Sequence, residues 1–279
     1  MHCDAPVGTV DLGNLPAIWE VLDVLEAQMD AANAQYPRTN LFCDRRFDEA
    51  KHVGERTYIL AHSSILAARD SHQAFLKALR YDGIRAQASW GMIRPSFESA
   101  FYAVWMLQPN NSQTRLQRGL RVAWEQHRTH HLRLDIMKQL AAEHDIPADH
   151  PDLLKLAQRK REHEAMYDAE AASIGLSHQQ MTANVSLTNE LDKLSYGDQM
   201  PNWIGKWFTL TWRQLSGATH GDSGALAGLS DTQYRVQIPG GWAAQISIND
   251  DSFRSACYAS AHLQMLAMNL YTSRSTPTT

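Results

Sequence analysis

The spacing of apolar residues is the strongest constraint on this fold, because they recur at three- and four-residue intervals over several long segments. In the first segment the apolar side chains are Ile18, Trp19, Leu22, Leu25 and Met29. Side chains three and four residues apart share one face of an α-helix, so such a segment buries one stripe against its neighbours. The sequence therefore predicts an all-α fold, a multi-helix bundle.

Prolines and glycines mark where these helices begin and end. Asn14 is predicted to cap the first helix, which ends at Pro37, and a second helix runs from about Gly54 to Tyr81. Pro95 must kink or restart a third helix that begins near residue 84, because proline lacks an N–H donor and clashes with the preceding turn. The remaining predicted helices lie at about 114–144, 151–174, 203–219 and 253–271.

A different pattern occupies the region before the last helix. Apolar residues alternate on both sides of Pro239-Gly240-Gly241, which predicts a small β-hairpin at about 233–248. The polar stretch from Gly175 to Pro201 has weak periodicity and is predicted to be a flexible or lid-like segment. The chain as a whole is predicted to be a single helical domain over residues 1–271, with a disordered tail at 272–279.

Composition limits the classes of function. The chain has 279 residues, 44% of them hydrophobic, and a formal net charge of -4, so a generally basic surface that coats nucleic acid is excluded and any RNA site must be local. Its three cysteines show no CxxC spacing. The most apolar stretch, Phe97 to Leu107, is too short to span a bilayer, so a soluble cytoplasmic protein without a membrane partner is predicted.

Arg213 and His220 are the first candidates for catalysis. Seven residues at about 100° each return to nearly the same helical face, provided that the helix continues through Gly217. A histidine can transfer a proton near neutral pH, and a guanidinium can bind a phosphate in two-pronged fashion. The spacing predicts one cleft with both groups in it, and Gln214 is a polar neighbour that joins the predicted binding residues.

Arg94 and Glu98 form a second candidate pair. Their four-residue spacing makes them neighbours on a helix, at the head of the aromatic segment. Ionisable groups beside an aromatic run need partners, whether or not chemistry occurs there. The pair is predicted either to line the same cleft as Arg213 or to belong to a structural ion-pair network.

Together, the segments Arg94–Glu98, Trp212–Ser216 and Thr219–His220 resemble a group of uncharacterised bacterial all-helical proteins. Some relatives of that group resemble HEPN domains, the higher eukaryotes and prokaryotes nucleotide-binding domains. These are helical bundles that often dimerise and cleave RNA without a metal, and their signature is an arginine, a polar residue and, after a short spacer, a histidine. Arg213, Gln214 and His220 match that order.

The resemblance implies an RNA- or nucleotide-directed protein, with metal-independent ribonuclease activity in bacterial defence or stress response. It implies His220 as the acid/base, Arg213 as the phosphate clamp, a homodimer as the assembly and no cofactor. Two alternatives stay open. One is a non-catalytic helical interaction module in which Arg94, Glu98, Arg213 and His220 are structural, and the other is a helical protein with a small-molecule pocket.

A basic helix is the second candidate surface for RNA. Between residues 115 and 138 the basic residues are Arg115, Arg118, Arg121, Arg128, Arg133 and Lys138, against Glu125 and Asp135. Such a row can follow an RNA backbone, so Arg115, Arg118 and Arg121 are candidate binding residues. In the alternative, this is a solvated face opposite a buried stripe formed by Leu120, Trp124, Leu132 and Ile136.

The chain has 13 histidines, which raises the question of a metal. His127, His131 and Asp135 align on one helix face, but the row is too long for one ion unless only two of them bind it. Neither a His-Glu-x-x-His motif nor a pair of Glu-x-x-His motifs is present. The sequence therefore predicts no metal site and no cofactor.

Overall fold

The computed structural model describes residues 12–36, 42–83, 85, 87–147, 149–194, 201–239 and 241–277. These residues form eleven α-helices and a two-stranded antiparallel sheet near the C-terminus, which confirms the predicted helical bundle with a small hairpin. The long helices are α1 (Leu15–Gln35), α3 (Gly54–Asp82), α4 (Ala88–Leu107), α5 (Ser112–Glu143), α6 (Pro151–Ser173), α9 (Ile204–Thr219) and α11 (Asp250–Ser275). The short helices are α2 (Asp44–Glu49), α7 (His178–Met181), α8 (Leu187–Glu190) and α10 (Ser223–Gly228).

Helix α4 lies at the centre of the bundle and packs against α3, α5, α9 and α11. It is apolar on nearly all sides after Pro95, and Phe97, Phe101 and Trp105 are fully or almost fully buried. The helix continues through Pro95, so of the two predicted alternatives, a kink or a restart, the restart is excluded. The proline leaves the carbonyl of Gly91 without its usual helical donor, while packing on several sides holds the helix together.

Local capping sets several of the helix ends. Asn111 caps α5 by accepting a hydrogen bond from the Thr114 N–H at 3.1 Å, and Asn249 caps α11 in the same way from Ser252 at 2.9 Å. Asn14 precedes α1, but its side chain accepts a hydrogen bond from the Tyr258 hydroxyl instead of a backbone N–H. The predicted Asn14 cap is therefore wrong, because a tertiary partner takes the cap acceptor.

The pair α5 and α6 forms an arm with its own apolar cluster. The residues of this cluster are Val53, Leu116, Leu120, Trp124, Ala171, Ile174, Leu176 and Met181. Beyond Trp124 the burial is partial, because Leu134 is 7% exposed whereas Leu132 and Ile136 are more than half exposed. The predicted buried stripe is therefore confirmed for Leu120 and Trp124 and wrong for Leu132 and Ile136, because Leu134 is the residue that α5 buries at this level.

The hairpin pairs β1 (Ser230–Ile238) with β2 (Gly241–Ile248), and its register is shifted between Gln233 and Arg235. It begins slightly earlier than predicted. The predicted disordered tail also starts too early, because α11 continues to Ser275. Arg274 anchors that last turn by pairing with Asp44 and by donating to the carbonyl of Leu107 at 3.3 Å.

The predicted lid-like segment holds α7 and α8 in the part that the structure describes, and its residues 195–200 lie outside the described ranges. The last two residues of the predicted tail, 278–279, also lie outside them. Among the helices of the described residues, none combines the length and the apolar character that crossing a bilayer requires.

Candidate functional site

The candidate site lies where the middle of α4 meets the C-terminal end of α9. Arg94 of α4 places Nη1 at 3.4 Å from Nε2 of His220, the residue that caps α9. Its Nε lies 3.7 Å from Oε2 of Glu98, one turn further along α4. One guanidinium therefore contacts both a histidine and a carboxylate.

Aromatic packing holds this guanidinium in place. The guanidinium carbon of Arg94 lies 4.9 Å from the ring centroid of Trp212, within the range of a cation–π interaction. Trp212 in turn stacks on Phe97 at a centroid distance of 6.3 Å and an interplanar angle of 15°. Because Trp212 and Phe97 are both buried, the position of Arg94 depends on the core of the bundle.

The surroundings set the hydrogen-bonding role of His220 and shift the pKa of Glu98. Arginine only donates hydrogen bonds, so in the 3.4 Å contact with Arg94 the Nε2 atom of His220 is the acceptor. Burial raises the pKa of Glu98, and the positive charge of Arg94 opposes this effect in part. Glu98 therefore keeps its proton to a higher pH than an exposed glutamate does, while the Nε2 lone pair of His220 is directed at Arg94.

These groups open onto a cleft of about 330 Å³. Gly91, Arg94, Pro95, Glu98, Ser99 and Thr219 line it. His220 and Thr219 are exposed to solvent, and the side chain of Glu98 is 35% exposed. The cleft can therefore admit a small anionic group next to two groups that transfer protons.

Arg213 and Gln214 lie on the same helix as His220, but the structure does not bring them to this cluster. Helix α9 continues through Gly217, as the predicted shared face requires. Arg213 is exposed and makes no hydrogen bond or ion pair with any residue that the structure describes, and Gln214 is half-buried. The arginine that contacts His220 is Arg94, from a different helix.

The three arginines predicted to form a basic RNA-binding row all bind other residues of the chain. Arg115 is 1% exposed and makes a two-pronged ion pair with Asp48, with Nε–Oδ2 at 2.7 Å and Nη2–Oδ1 at 3.0 Å. It also donates to the carbonyls of Pro109 and Asn110. This corrects the expectation that Arg115 faces an RNA backbone, because the chain folds α2 over that side of α5.

Arg118 and Arg121 are half-buried and also have partners within the chain. Arg118 donates to the carbonyl of Trp105 at 2.8 Å, and Arg121 donates to those of Ala183 and Asn184. Both guanidinium groups lie over the Trp105 ring, at 4.9 and 5.2 Å from its centroid. They join α5 to neighbouring segments, which leaves little of either group to bind a phosphate.

A groove of about 340 Å³ is a candidate cavity for the small-molecule alternative. It lies between α3, α4 and α5, with Tyr102, Val122 and Glu125 among its walls. Burial raises the pKa of Tyr102 to about 12, so its hydroxyl stays neutral and can donate a hydrogen bond. The walls hold no cluster of contacting charged groups comparable to Arg94, Glu98 and His220 within the described residues.

A third cluster joins the two helices of the arm. His127 and His131 of α5 meet His163 of α6, and one potential ligand atom from each lies within 4.8 Å of the others. Sequence spacing identified the first two but missed His163, because nothing local indicates which face of α6 turns toward α5. Asp135, the third member of the predicted row, instead pairs with Lys160, with Nζ 3.4 Å from Oδ2.

Comparison with models of protein families, with curated proteins and with solved structures yields no match to this chain. The structure itself shows the fold class, which is an all-α bundle with a small hairpin.

Proposed function

We propose that the cleft between α4 and α9 is a phosphate-directed acid/base site, and that the protein is an RNA- or nucleotide-directed, metal-independent ribonuclease of HEPN-like type. The observation that carries this proposal is the position of Arg94 between Glu98 and His220, in contact with both. A cation beside two proton-transfer groups supplies both charge stabilisation and acid/base groups for cleavage of a phosphodiester without a metal.

Each of the three residues has a distinct role in the proposed reaction. When Arg94 turns from His220 to the substrate, Nε2 of His220 takes the proton from a ribose 2′-hydroxyl, and the 2′-oxygen then attacks the phosphorus. Arg94 binds the non-bridging oxygens as negative charge develops on them. Glu98, whose raised pKa favours its acid form, gives a proton to the leaving 5′-oxygen as the P–O5′ bond breaks. The products are a 2′,3′-cyclic phosphate and a free 5′-hydroxyl, and water restores the two protonation states.

Exposure favours this function over the helical interaction module. The central structural ion pair of this protein is closed to solvent, since Arg115 and Asp48 are 1% and 0% exposed. The Arg94 cluster differs, because His220 is exposed and Glu98 is only partly covered beside an open cleft. A substrate can therefore reach all three groups without any change in the packing of the bundle.

The test is cleavage of a pool of labelled RNAs in the presence of EDTA. We expect the wild-type protein to cut, and His220→Gln and Glu98→Gln each to lower the rate by about 100-fold or more, as loss of an acid/base group does. His144→Gln is the matched control, since His144 is an exposed histidine that caps the end of α5 as His220 caps the end of α9. It should cut like the wild type.

Two arginine variants decide which guanidinium binds phosphate. Arg94→Gln should reduce the rate far more than Arg213→Gln, because Arg94 contacts His220 and Arg213 has no described partner. A larger loss of rate in Arg213→Gln would mean that Arg213, as the sequence motif predicts, is the arginine that binds the phosphate. Absence of cleavage by the folded wild type on every RNA, with no binding of mononucleotides, would refute the proposal and favour the interaction module.

A further inference from the structure

The arm formed by α5 and α6 carries the cluster of three histidines, which takes no part in the proposed ribonuclease chemistry. His127 and His131 lie one helical turn apart on α5, with ring centroids at 4.0 Å. His163 of α6 faces them, with its ring centroid 5.6 Å from His127 and 6.3 Å from His131. Three imidazoles from two helices therefore converge on one point.

Two of these rings are buried without partners for their polar atoms. His127 is 8% exposed and His131 is 5% exposed. Nε2 of His127 and both nitrogens of His131 accept or donate no hydrogen bond to any described residue. An unsatisfied buried polar group costs about 1–3 kcal/mol, and a ligand bound to these nitrogens would offset that cost.

The neutral imidazole is the form of histidine that binds a metal ion. Burial lowers the pKa of both His127 and His131, which favours that form in each ring.

We infer that His127, His131 and His163 bind one divalent transition-metal ion, and that zinc(II) is the ion this donor set fits best. Three imidazole nitrogens are typical ligands of Zn²⁺, whereas Mg²⁺ and Ca²⁺ require oxygen donors. Tetrahedral coordination with Zn–N bonds of about 2.0–2.1 Å brings nitrogens to about 3.3 Å from one another. The present separation, up to 4.8 Å, closes by rotation of the exposed His163 side chain.

A cavity of about 90 Å³, large enough for water, adjoins His127 and His131. Glu164 also lines it, together with Arg128 and with Lys160, which pairs with Asp135. A water molecule in this cavity would complete the coordination that three histidine ligands leave open.

The position of the site in the arm indicates what the ion does. The apolar cluster between α5 and α6 ends at Trp124 and Tyr167, whose rings lie 5.3 and 5.0 Å from the His127 ring. Beyond the histidines, Leu134 of α5 is still buried, whereas Leu132 and Ile136 are exposed. A metal ion at this point would therefore clamp α6 to α5 where hydrophobic packing becomes thinner.

The experiment is a zinc titration of the full chain after removal of metal, in competition with a chromophoric chelator. We expect one tight equivalent of Zn²⁺ in the wild type, and binding weaker by at least about 100-fold in His163→Ala, since loss even of an outer-shell partner costs 10–100-fold. His163 is exposed, so this variant should keep the fold, which circular dichroism checks. His130→Ala is the matched control, because His130 is exposed and adjacent to His131 but lies outside the three-histidine cluster.

A second readout addresses the clamp. Zinc should slow amide hydrogen exchange in the distal arm, residues 128–160, in wild type and His130→Ala but not in His163→Ala. Equal zinc affinity in wild type and His163→Ala, or one tight equivalent without any change in exchange, would overturn the proposed site. RNA cleavage in EDTA probes only the Arg94 cleft, so either proposal can fail without the other.

Discussion

Arg115 and Asp48 form an ion pair that is closed to solvent, with two parallel contacts of 2.7 and 3.0 Å. Both groups also form hydrogen bonds with other residues. The Tyr58 hydroxyl donates to Asp48 Oδ2 at 3.0 Å, and Arg115 Nη1 donates to the carbonyl of Pro109 at 2.8 Å. This network joins α2, α3 and α5.

Removing the cation of this pair should strongly destabilise the protein. Arg115→Leu leaves Asp48 charged and buried without a counterion, and breaking such a pair costs about 3–5 kcal/mol. Urea denaturation should show this loss in the free energy of unfolding. Arg128→Leu, on the same helix, is the control, since Arg128 is 51% exposed and pairs with Glu125 one turn away, where such pairs contribute less than about 1 kcal/mol. Equal losses would mean that the buried pair is not closed to water in solution.

Close approach of α5 to α3 depends on Gly119. A Cβ atom at this position would lie 2.1 Å from Oγ1 of Thr57, far inside contact distance. Gly119→Ala should therefore destabilise the protein by about 1–3 kcal/mol, although alanine favours helix formation. Gly91→Ala in α4 meets nothing within 4 Å and should stabilise it by about 0.5–1 kcal/mol. Thermal unfolding of both variants checks the opposite signs, and a stabilised Gly119→Ala would contradict the packing.

His72 should make the protein sensitive to mild acid. Burial, helped by the charge of Arg69 and opposed by Asp23, lowers the pKa of His72 from 6.5 to about 4. Below pH 6.5 the unfolded chain therefore binds a proton that the folded chain does not, so stability falls as the pH drops from 6.5 towards 4. The full loss from this one group is about 3 kcal/mol.

Urea denaturation between pH 7.5 and pH 5 measures this dependence. His72→Gln removes the titrating group and should flatten the decline in the free energy of unfolding over that interval. His144→Gln changes an exposed histidine and should leave the wild-type slope in place. An unchanged slope in His72→Gln would show that other groups cause the acid sensitivity.

The contact between Arg94 and Glu98 can be tested without any activity assay. Burial raises the pKa of Glu98 and the charge of Arg94 lowers it, so Arg94→Met should raise that pKa further. A titration of the Glu98 carboxyl carbon by nuclear magnetic resonance detects the shift. Arg213→Met should not move it, since Arg213 contacts neither residue in the structure. If both variants leave the pKa of Glu98 unchanged, the two side chains are not neighbours in solution.

Local patterns predicted most of the helices and part of the candidate site. The segment of α3 from Gly54 and that of α6 from Pro151 begin where predicted, because a helix start depends on residues close in sequence. The pairing of Arg94 with Glu98 was predicted for the same reason, since both lie on one helix. The end of α11 was not predicted, because its last turn is held by contacts of Arg274 with distant residues such as Asp44.

Contacts between helices account for what sequence spacing missed. His220 was predicted to share a cleft with Arg213, seven residues away on the same helix, yet its described contact is Arg94 on α4. His163 has no signal near it that connects it to His127. Both errors arise because periodicity defines the faces of one helix and carries no information about which face of another helix it meets.

The amino-acid sequence alone determined that this chain forms a bundle of long amphipathic helices with one small hairpin, because 3.6-residue periodicity, caps and breakers act over a few residues. It also supplied the chemically active side chains. The tertiary structure alone decided which of them meet: Arg94 with His220, Arg115 with Asp48, and His163 with the two histidines of α5. These contacts depend on how entire helices pack, and packing is decided by the summed burial of many apolar side chains across the chain.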